Sequence, residues 1–163
     1  MADHHNRRTL LGLLGLGGIG ALFWRGASPA EATTGFPLTL PDAEWKRRLG
    51  PQRYSILRQA GTERPYSSPL NAEHDRGTFR CGGCAQPLFA SATKFESGTG
   101  WPSFYAALPG AVTTRTDRSM FMARNEVLCS RCGGHLGHVF DDGPRPTGKR
   151  YCMNGLALSF KAA

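Results

Sequence analysis

The alternation of apolar and polar residues changes character along this chain. Residues 10–24 form an apolar run broken by glycines. It has the length of a signal-peptide core and is short for a membrane-spanning helix. Residues 33–40 are rich in Thr, Gly and Pro and read as a linker. The spacing then predicts a short helix over 43–49, with Asp42 as its N-cap and Gly50 as its stop. Pro51 suits the first position of a second helix, in which Tyr54, Leu57 and Arg58 fall at helical spacing and Gly61 ends the run. Residues 62–77, with Pro65, Pro69 and Asn71, read as loop. Beyond them the segments shorten. Residues 78–80, 88–89, 119–124, 127–128, 136–140 and 156–160 are strand candidates separated by Gly, Pro and Asn, and Asn125-Glu126 lies where a hairpin turn would. The expectation is a mainly β domain preceded by two short helices.

Composition supports one folded domain. The chain has 163 residues, 40% hydrophobic and 20% charged, which fits a globular body and not a disordered one. Its 21 glycines and 11 prolines favour turns and short strands. The net charge of +8 aids solubility and attracts acidic surfaces. Nucleic-acid binding would call for a basic stripe interleaved with aromatics, and no such run is present, so no nucleic-acid partner is expected. A monomer is expected. The beginning of the chain carries an address. Arg7-Arg8 precedes the apolar run, and Ala30-Glu31-Ala32 gives the small-x-small pattern of a cleavage site. This looks like a twin-arginine export signal cleaved after Ala32, with the periplasm as destination; an uncleaved membrane anchor is the alternative. The expected layout is a signal peptide over 1–32, a linker over 33–40 and a single domain over 41–163.

The cysteines add chemistry. Cys81-Gly-Gly-Cys84 and Cys129-Ser-Arg-Cys132 are two Cys-x-x-Cys units, 45 residues apart. One unit alone could be a redox pair. Two favour a single tetrahedral Zn2+ ion held by four thiolates, a closed structural site. A disulfide framework is the competing reading in an exported protein. Glycines at 82–83 and 133–134 would let each knuckle turn tightly. Cys152 is then the odd thiol. It could be buried and inert. Its neighbours favour a nucleophile. Arg150 would share its face if the segment is a strand, and a nearby cation promotes the thiolate. Asn154 adds a second polar group on that face, and His135 and His138 lie shortly upstream.

The run from Cys129 to Pro144, CSRCGGHLGHVFDDGP, followed by Arg150-Tyr-Cys152-Met-Asn154, resembles the signature of the B-type peptide-methionine (R)-S-oxide reductases. Residues 94–104, KFESGTGWPSF, resemble that family's second signature, and Thr62-Glu63-Arg64-Pro65 resembles its opening segment. The similarity extends from about residue 41 to 160. The resemblance implies a domain of two antiparallel sheets with peripheral helices and a zinc clip away from the active site. It implies a thiol-dependent oxidoreductase that returns the R epimer of methionine sulfoxide in peptides and proteins to methionine through a cysteine sulfenic acid. Cys152 would be the nucleophile and His138 the acid. His135 and Asn154 would help to orient the substrate oxygen, Asp142 would tune the histidines, and Arg150 would favour the thiolate. Trp101 would receive the substrate's methyl group. The competing class is a zinc-ribbon binding module, which gives Cys152 no role.

One position departs from the pattern. Many members place a recycling cysteine between the glycines of the second signature, where this chain has Thr99. The resemblance therefore implies a cycle with one cysteine. Its partners would be oxidised methionine in exported proteins and an external thiol reductant, such as a thioredoxin-like protein.

Overall fold

The computed structural model describes residues 35–117 and 123–163. The expected signal peptide, and residues 119–122 of one expected strand, lie outside the described residues. Among the described residues, no helix is long and apolar enough to cross a membrane.

One α-helical span, α1, covers Asp42–Gln59 and is broken at Gly50, whose φ of 66° and ψ of 172° are not helical. The two expected helices are therefore present end to end, with Pro51 opening the second. Both caps differ from expectation. Pro41 holds the N-cap position, and Asp42 is the first helical residue, ion-paired with Lys46 at 2.7 Å. The left-handed C-cap is Ala60, with φ 53°. Gly61 is needed for a different reason: a Cβ there would lie 2.9 Å from the Ser55 carbonyl oxygen. The inward face of α1 buries Trp45, Ile56 and Leu57, each contributing about 1.5–3 kcal/mol of transfer free energy. Arg58 stacks over Trp45 at 4.9 Å and donates to the Cys132 carbonyl at 2.9 Å, fixing the helix to the second cysteine knuckle.

Among the described residues nine strands follow: β1 (Gly77–Cys81), β2 (Pro87–Ala90), β3 (Lys94–Phe95), β4 (Ser103–Phe104), β5 (Val112–Asp117), β6 (Arg124–Cys129), β7 (His135–Phe140), β8 (Arg150–Met153) and β9 (Leu158–Ala162). They form two antiparallel sheets, in the orders β2-β1-β9 and β3-β4-β8-β7-β6-β5. The two sheets meet through aromatic rings. Phe89 of β2 stacks on Phe104 of β4 at 4.4 Å, and Phe79 of β1 meets the same ring edge-on at 4.8 Å. Phe104, Leu136 and Met153 face this core, so the other face of β4 and β8 is free to carry chemistry.

The strand expectations at 78–80, 88–89, 127–128 and 136–140 coincide with β1, β2, β6 and β7. That at 156–160 is divided between a 3₁₀ turn (Gly155–Ala157) and β9. Asn125-Glu126 is not a turn but the interior of β6. Glu126 is only 4% exposed, ion-paired with Arg115 and hydrogen-bonded to His135, which lets a charged residue occupy a buried strand position. The expected linker also differs. Leu38 donates its N–H to the Arg131 carbonyl at 2.8 Å, Leu38 and Leu40 pack on the core, and the Phe36 ring lies against Gly133. Residues 36–40 are thus part of the body.

Candidate active site

Strand register brings the site together. Cys152 on β8 stands opposite Ser103 of β4 on one side and His138 of β7 on the other. Directly opposite residues of antiparallel strands project to the same face, so one row crosses the sheet from Ser103 through Cys152 and His138 to Glu126 and Arg115. Gly137 lets β7 approach β8 beneath Cys152. A Cβ there would fall 2.1 Å from the Cys152 carbonyl oxygen. A bulge between Val127 and Leu128 leaves Leu136 as an extra residue in β7. It reverses the alternation, so His135 and His138 turn to the same side, with ring centroids 5.5 Å apart.

Cys152 lies in a cleft of about 140 Å³, whose walls include Trp101, His138, Phe140, Arg124, Thr62 and Asn154. The volume suits a short, partly apolar side chain. A larger groove near 1060 Å³ lies along the second half of α1 and β9 and contains no cysteine. The chemistry therefore selects the smaller cleft.

Each histidine has a carboxylate. His138 Nε2 lies 3.0 Å from Asp117 Oδ2, and the same oxygen accepts from Arg124 at 2.9 Å. His135 Nδ1 lies 2.7 Å from Glu126 Oε1. Burial pushes His135 below its ordinary value of 6.5, opposed by the Glu126 hydrogen bond and charge. Burial also raises the Glu126 carboxyl, but hydrogen bonds from Arg115 and His135 overcome it and the net direction is down. His135 is 4% exposed and stands behind His138 without lining the cleft. Its ring packs against that of His138, and its Nε2 is buried with no hydrogen-bond partner among the described residues.

Asp142 does not contact either histidine. It forms a two-pronged pair with Arg150, at 2.9 Å from Nε and 2.8 Å from Nη2. That bond holds the Asp142 carboxyl low and the Arg150 guanidinium high, the charge of Cys152 adding to the latter. Arg150 also lies over the Phe140 ring at 4.3 Å. The carboxylates that serve the histidines, Asp117 and Glu126, were not singled out from sequence.

Glu63 was also missed, and it ties the cleft walls together. Its backbone N–H donates to Asn154 Oδ1 at 3.0 Å, and its carbonyl accepts from the Trp101 indole N–H at 3.2 Å. Its carboxylate accepts from the backbone N–H groups of Gly155 and of Leu156, the latter at 2.8 Å. Asn154 is 4% exposed and spends its amide on Glu63 and on the Leu136 carbonyl, so it braces the cleft that it lines. The sequence signal for Glu63 is its place in the Thr62–Pro65 segment, which by itself assigns the residue no role.

The metal-ligating candidates Cys81, Cys84, Cys129 and Cys132 come together, with all four Sγ atoms within 4.8 Å of one another. Cys81 and Cys132 sulfurs are 3.7 Å apart, and Cys84 and Cys129 sulfurs 3.6 Å apart. Tetrahedral bonds of about 2.3 Å give sulfur–sulfur edges near 3.8 Å, so the quartet fits one metal ion. Hydrogen bonding with Cys129 and the other thiols, together with burial, pushes the Cys81 thiol up; donation from Cys132 and Cys81 pulls Cys129 down. Such a set cannot ionise fully without a cation at its centre. The knuckles turn at the residue after each second cysteine, where Ala85 has φ 58° and Gly133 φ 66°. Gly82 and Gly83 are not the left-handed positions, and Ala85 accepts about 1–2 kcal/mol of strain instead. None of the four cysteines lines the Cys152 cleft.

The SelR domain family model matches residues 49–162. The peptide methionine sulfoxide reductase MsrB of Methanosarcina barkeri is 57% identical over 121 residues, spanning 74% of this chain and 85% of that protein. MsrB of Thiobacillus denitrificans is 56% identical over 120 residues, 73% of this chain and 91% of that protein. MsrB of Leptospira interrogans is 54% identical over 121 residues, 74% of this chain and 92% of that protein. The matched residues hold the cysteine quartet, the cleft and Cys152, and the chain belongs to the SelR-domain family of peptide methionine sulfoxide reductases, the MsrB type.

Proposed function

We propose that this protein reduces the R epimer of methionine sulfoxide in exported proteins, with Cys152 as nucleophile. The observation that carries this reading is Cys152 and His138, opposite each other in the strand register and lining a cleft walled by Trp101. The thiolate attacks the sulfoxide sulfur while the imidazolium of His138, held by Asp117, protonates the oxygen. The oxygen ends on Cys152 as a sulfenic acid, and the substrate sulfur leaves as a thioether, having gained two electrons. Arg150, oriented by Asp142, favours the thiolate before attack. Trp101 offers an apolar face to the methyl group, and its indole is fixed by Glu63. An external thiol, supplied by a thioredoxin-like protein, then condenses with the sulfenic acid and releases water. A second thiol frees Cys152.

The metal we assign to the quartet is Zn2+, which suits four thiolates and, with its shell filled, stabilises the fold. A zinc-ribbon binding module is disfavoured, because it leaves the cleft without a purpose. Export rests on Arg7-Arg8 and Ala30-Glu31-Ala32; cell fractionation and the sequence of the mature N-terminus test it. The functional test is Cys152→Ser assayed on both epimers of a methionine sulfoxide peptide. Wild-type turnover confined to the R epimer, with none in the variant, is expected. Turnover by the variant, or of the S epimer alone by the wild type, would overturn the reading.

A further inference from the structure

Behind Cys152, on the side away from His138, lies a file of three hydroxyls. Thr99 Oγ1 is 3.7 Å from Cys152 Sγ. Ser97 Oγ is 2.8 Å from Thr99 Oγ1 and 2.7 Å from Ser103 Oγ. Ser103, 1% exposed and opposite Cys152 in the register, is 3.1 Å from the Trp101 carbonyl oxygen. We propose that Thr99, backed by Ser97 and Ser103, is a hydrogen-bond donor to the Cys152 thiolate, and that the three hydroxyls reverse their direction when Cys152 ionises.

The argument is a count of protons. The Trp101 carbonyl can only accept, and each hydroxyl has one proton to give. When Cys152 is a thiol, the chain runs one way: S–H to Thr99, Thr99 to Ser97, Ser97 to Ser103, Ser103 to the carbonyl. Every donor is then used. A thiolate can only accept. Thr99 must turn its proton to sulfur, Ser97 to Thr99, and Ser103 to Ser97. No proton leaves its own oxygen; each hydroxyl rotates. The thiolate gains a donor on the side opposite His138, and the cost is the Ser103 bond to the carbonyl. A hydrogen bond to an ionised group outweighs a neutral one, so the exchange favours the thiolate. Thr99 touches the reacting sulfur and is a catalytic residue. Ser97 and Ser103 act through it and are positioning residues.

Other charges facing this sulfur are Arg150 on its own strand, held by Asp142, and His138 with Asp117 across β7. Arg124 of β6 lines the same cleft. All of them stay in place when only Thr99 is changed. The proposal rests on Cys152 being the nucleophile, but its test does not need sulfoxide turnover. Full-length, metal-loaded protein is alkylated with iodoacetamide across pH, and modification of the Cys152 peptide is followed by mass.

Thr99→Val keeps the shape and removes the hydroxyl. Its alkylation midpoint is expected to rise by about half to one pH unit, with rates below the midpoint reduced about three- to tenfold. Thr99→Ser is expected to retain the wild-type profile, and Ser103→Ala to shift upward by less than Thr99→Val. Metal content and thermal unfolding report folding, and Thr99→Ala takes the place of the valine variant if that one does not fold. An unshifted Thr99→Val profile overturns the proposal. So does a Thr99→Ser profile shifted as far as the valine one. An unshifted Ser103→Ala profile overturns the chain as a unit. Absence of sulfoxide reduction by the wild type would sink the functional reading and leave this measurement interpretable.

Discussion

Replacing Glu63 with Gln changes one atom in a residue that holds four contacts around the cleft. The carboxylate accepts from two backbone N–H groups, of Gly155 and Leu156, in the turn just after β8. Glutamine keeps one acceptor and sets an NH2 group against the other N–H. One charge-assisted bond is lost, a buried donor is left unsatisfied, and the remaining bond is no longer charge-assisted. The combined effect is about 2–3 kcal/mol. For a body of this size that lowers the unfolding temperature on the order of 5–10 °C. The backbone contacts of Glu63 to Asn154 and Trp101 depend on the same anchoring. The aromatic wall should therefore loosen, and KM for a methionine sulfoxide peptide should rise several-fold with a smaller loss in kcat. Thermal unfolding with metal saturating, together with steady-state kinetics, reads both effects. A Glu63→Gln variant with wild-type unfolding temperature and wild-type KM would refute the idea that this residue holds the walls.

Gly137→Ala places a Cβ 2.1 Å from the Cys152 carbonyl oxygen; loss of activity greater than the loss of stability is expected, measured by kcat/KM beside unfolding temperature. Cys84→Ser, or chelation of the wild type, is expected to release the metal and lower stability by several kcal/mol, followed by metal content and urea unfolding. His135 is neutral in the fold because burial lowers it from 6.5, against the opposing pull of Glu126. The unfolded chain takes up that proton as pH falls below 6.5, so the stability contribution is whole above 6.5 and is lost as pH falls through the lower folded value. Denaturant titrations across this range should show a steeper acid loss in wild type than in His135→Gln; equal slopes contradict the assignment.

Legibility in the sequence followed the physics of each element. The cysteine quartet and the thiol of the cleft, Cys152, announced themselves because spacing alone sets metal geometry, and a leftover thiol stands out. The first helix pair was legible through Gly50 and Pro51, which punctuate regardless of tertiary context. Strands β3 and β4 are each only two residues long, too short for a period to register. Strand β5 is Thr-rich, with four consecutive exposed positions, so it lacks the apolar alternation of a half-buried strand. Glu126 looked like a turn residue because its compensation comes from Arg115 and His135, which only the sheet register supplies. The same holds for the site. Cys152, Arg150 and His138 share a face that strand pairing reveals, and Asp142 was assigned to the wrong partner because it lies four residues from His138 but eight from Arg150. Asp117 carries no local signal, and the segments that hold Glu63 and Thr99 say nothing of the contacts these two residues make. Their roles arise from contacts 21 to 93 residues distant in sequence.

The most direct test of the account is a single turnover without reductant, using metal-loaded protein and each epimer of a methionine sulfoxide peptide. The R epimer should yield a single equivalent of methionine, with the mass of one oxygen atom added at Cys152 and the other four cysteines unchanged. Methionine formed from the S epimer, or a disulfide joining Cys152 to one of the metal-binding cysteines, would contradict it.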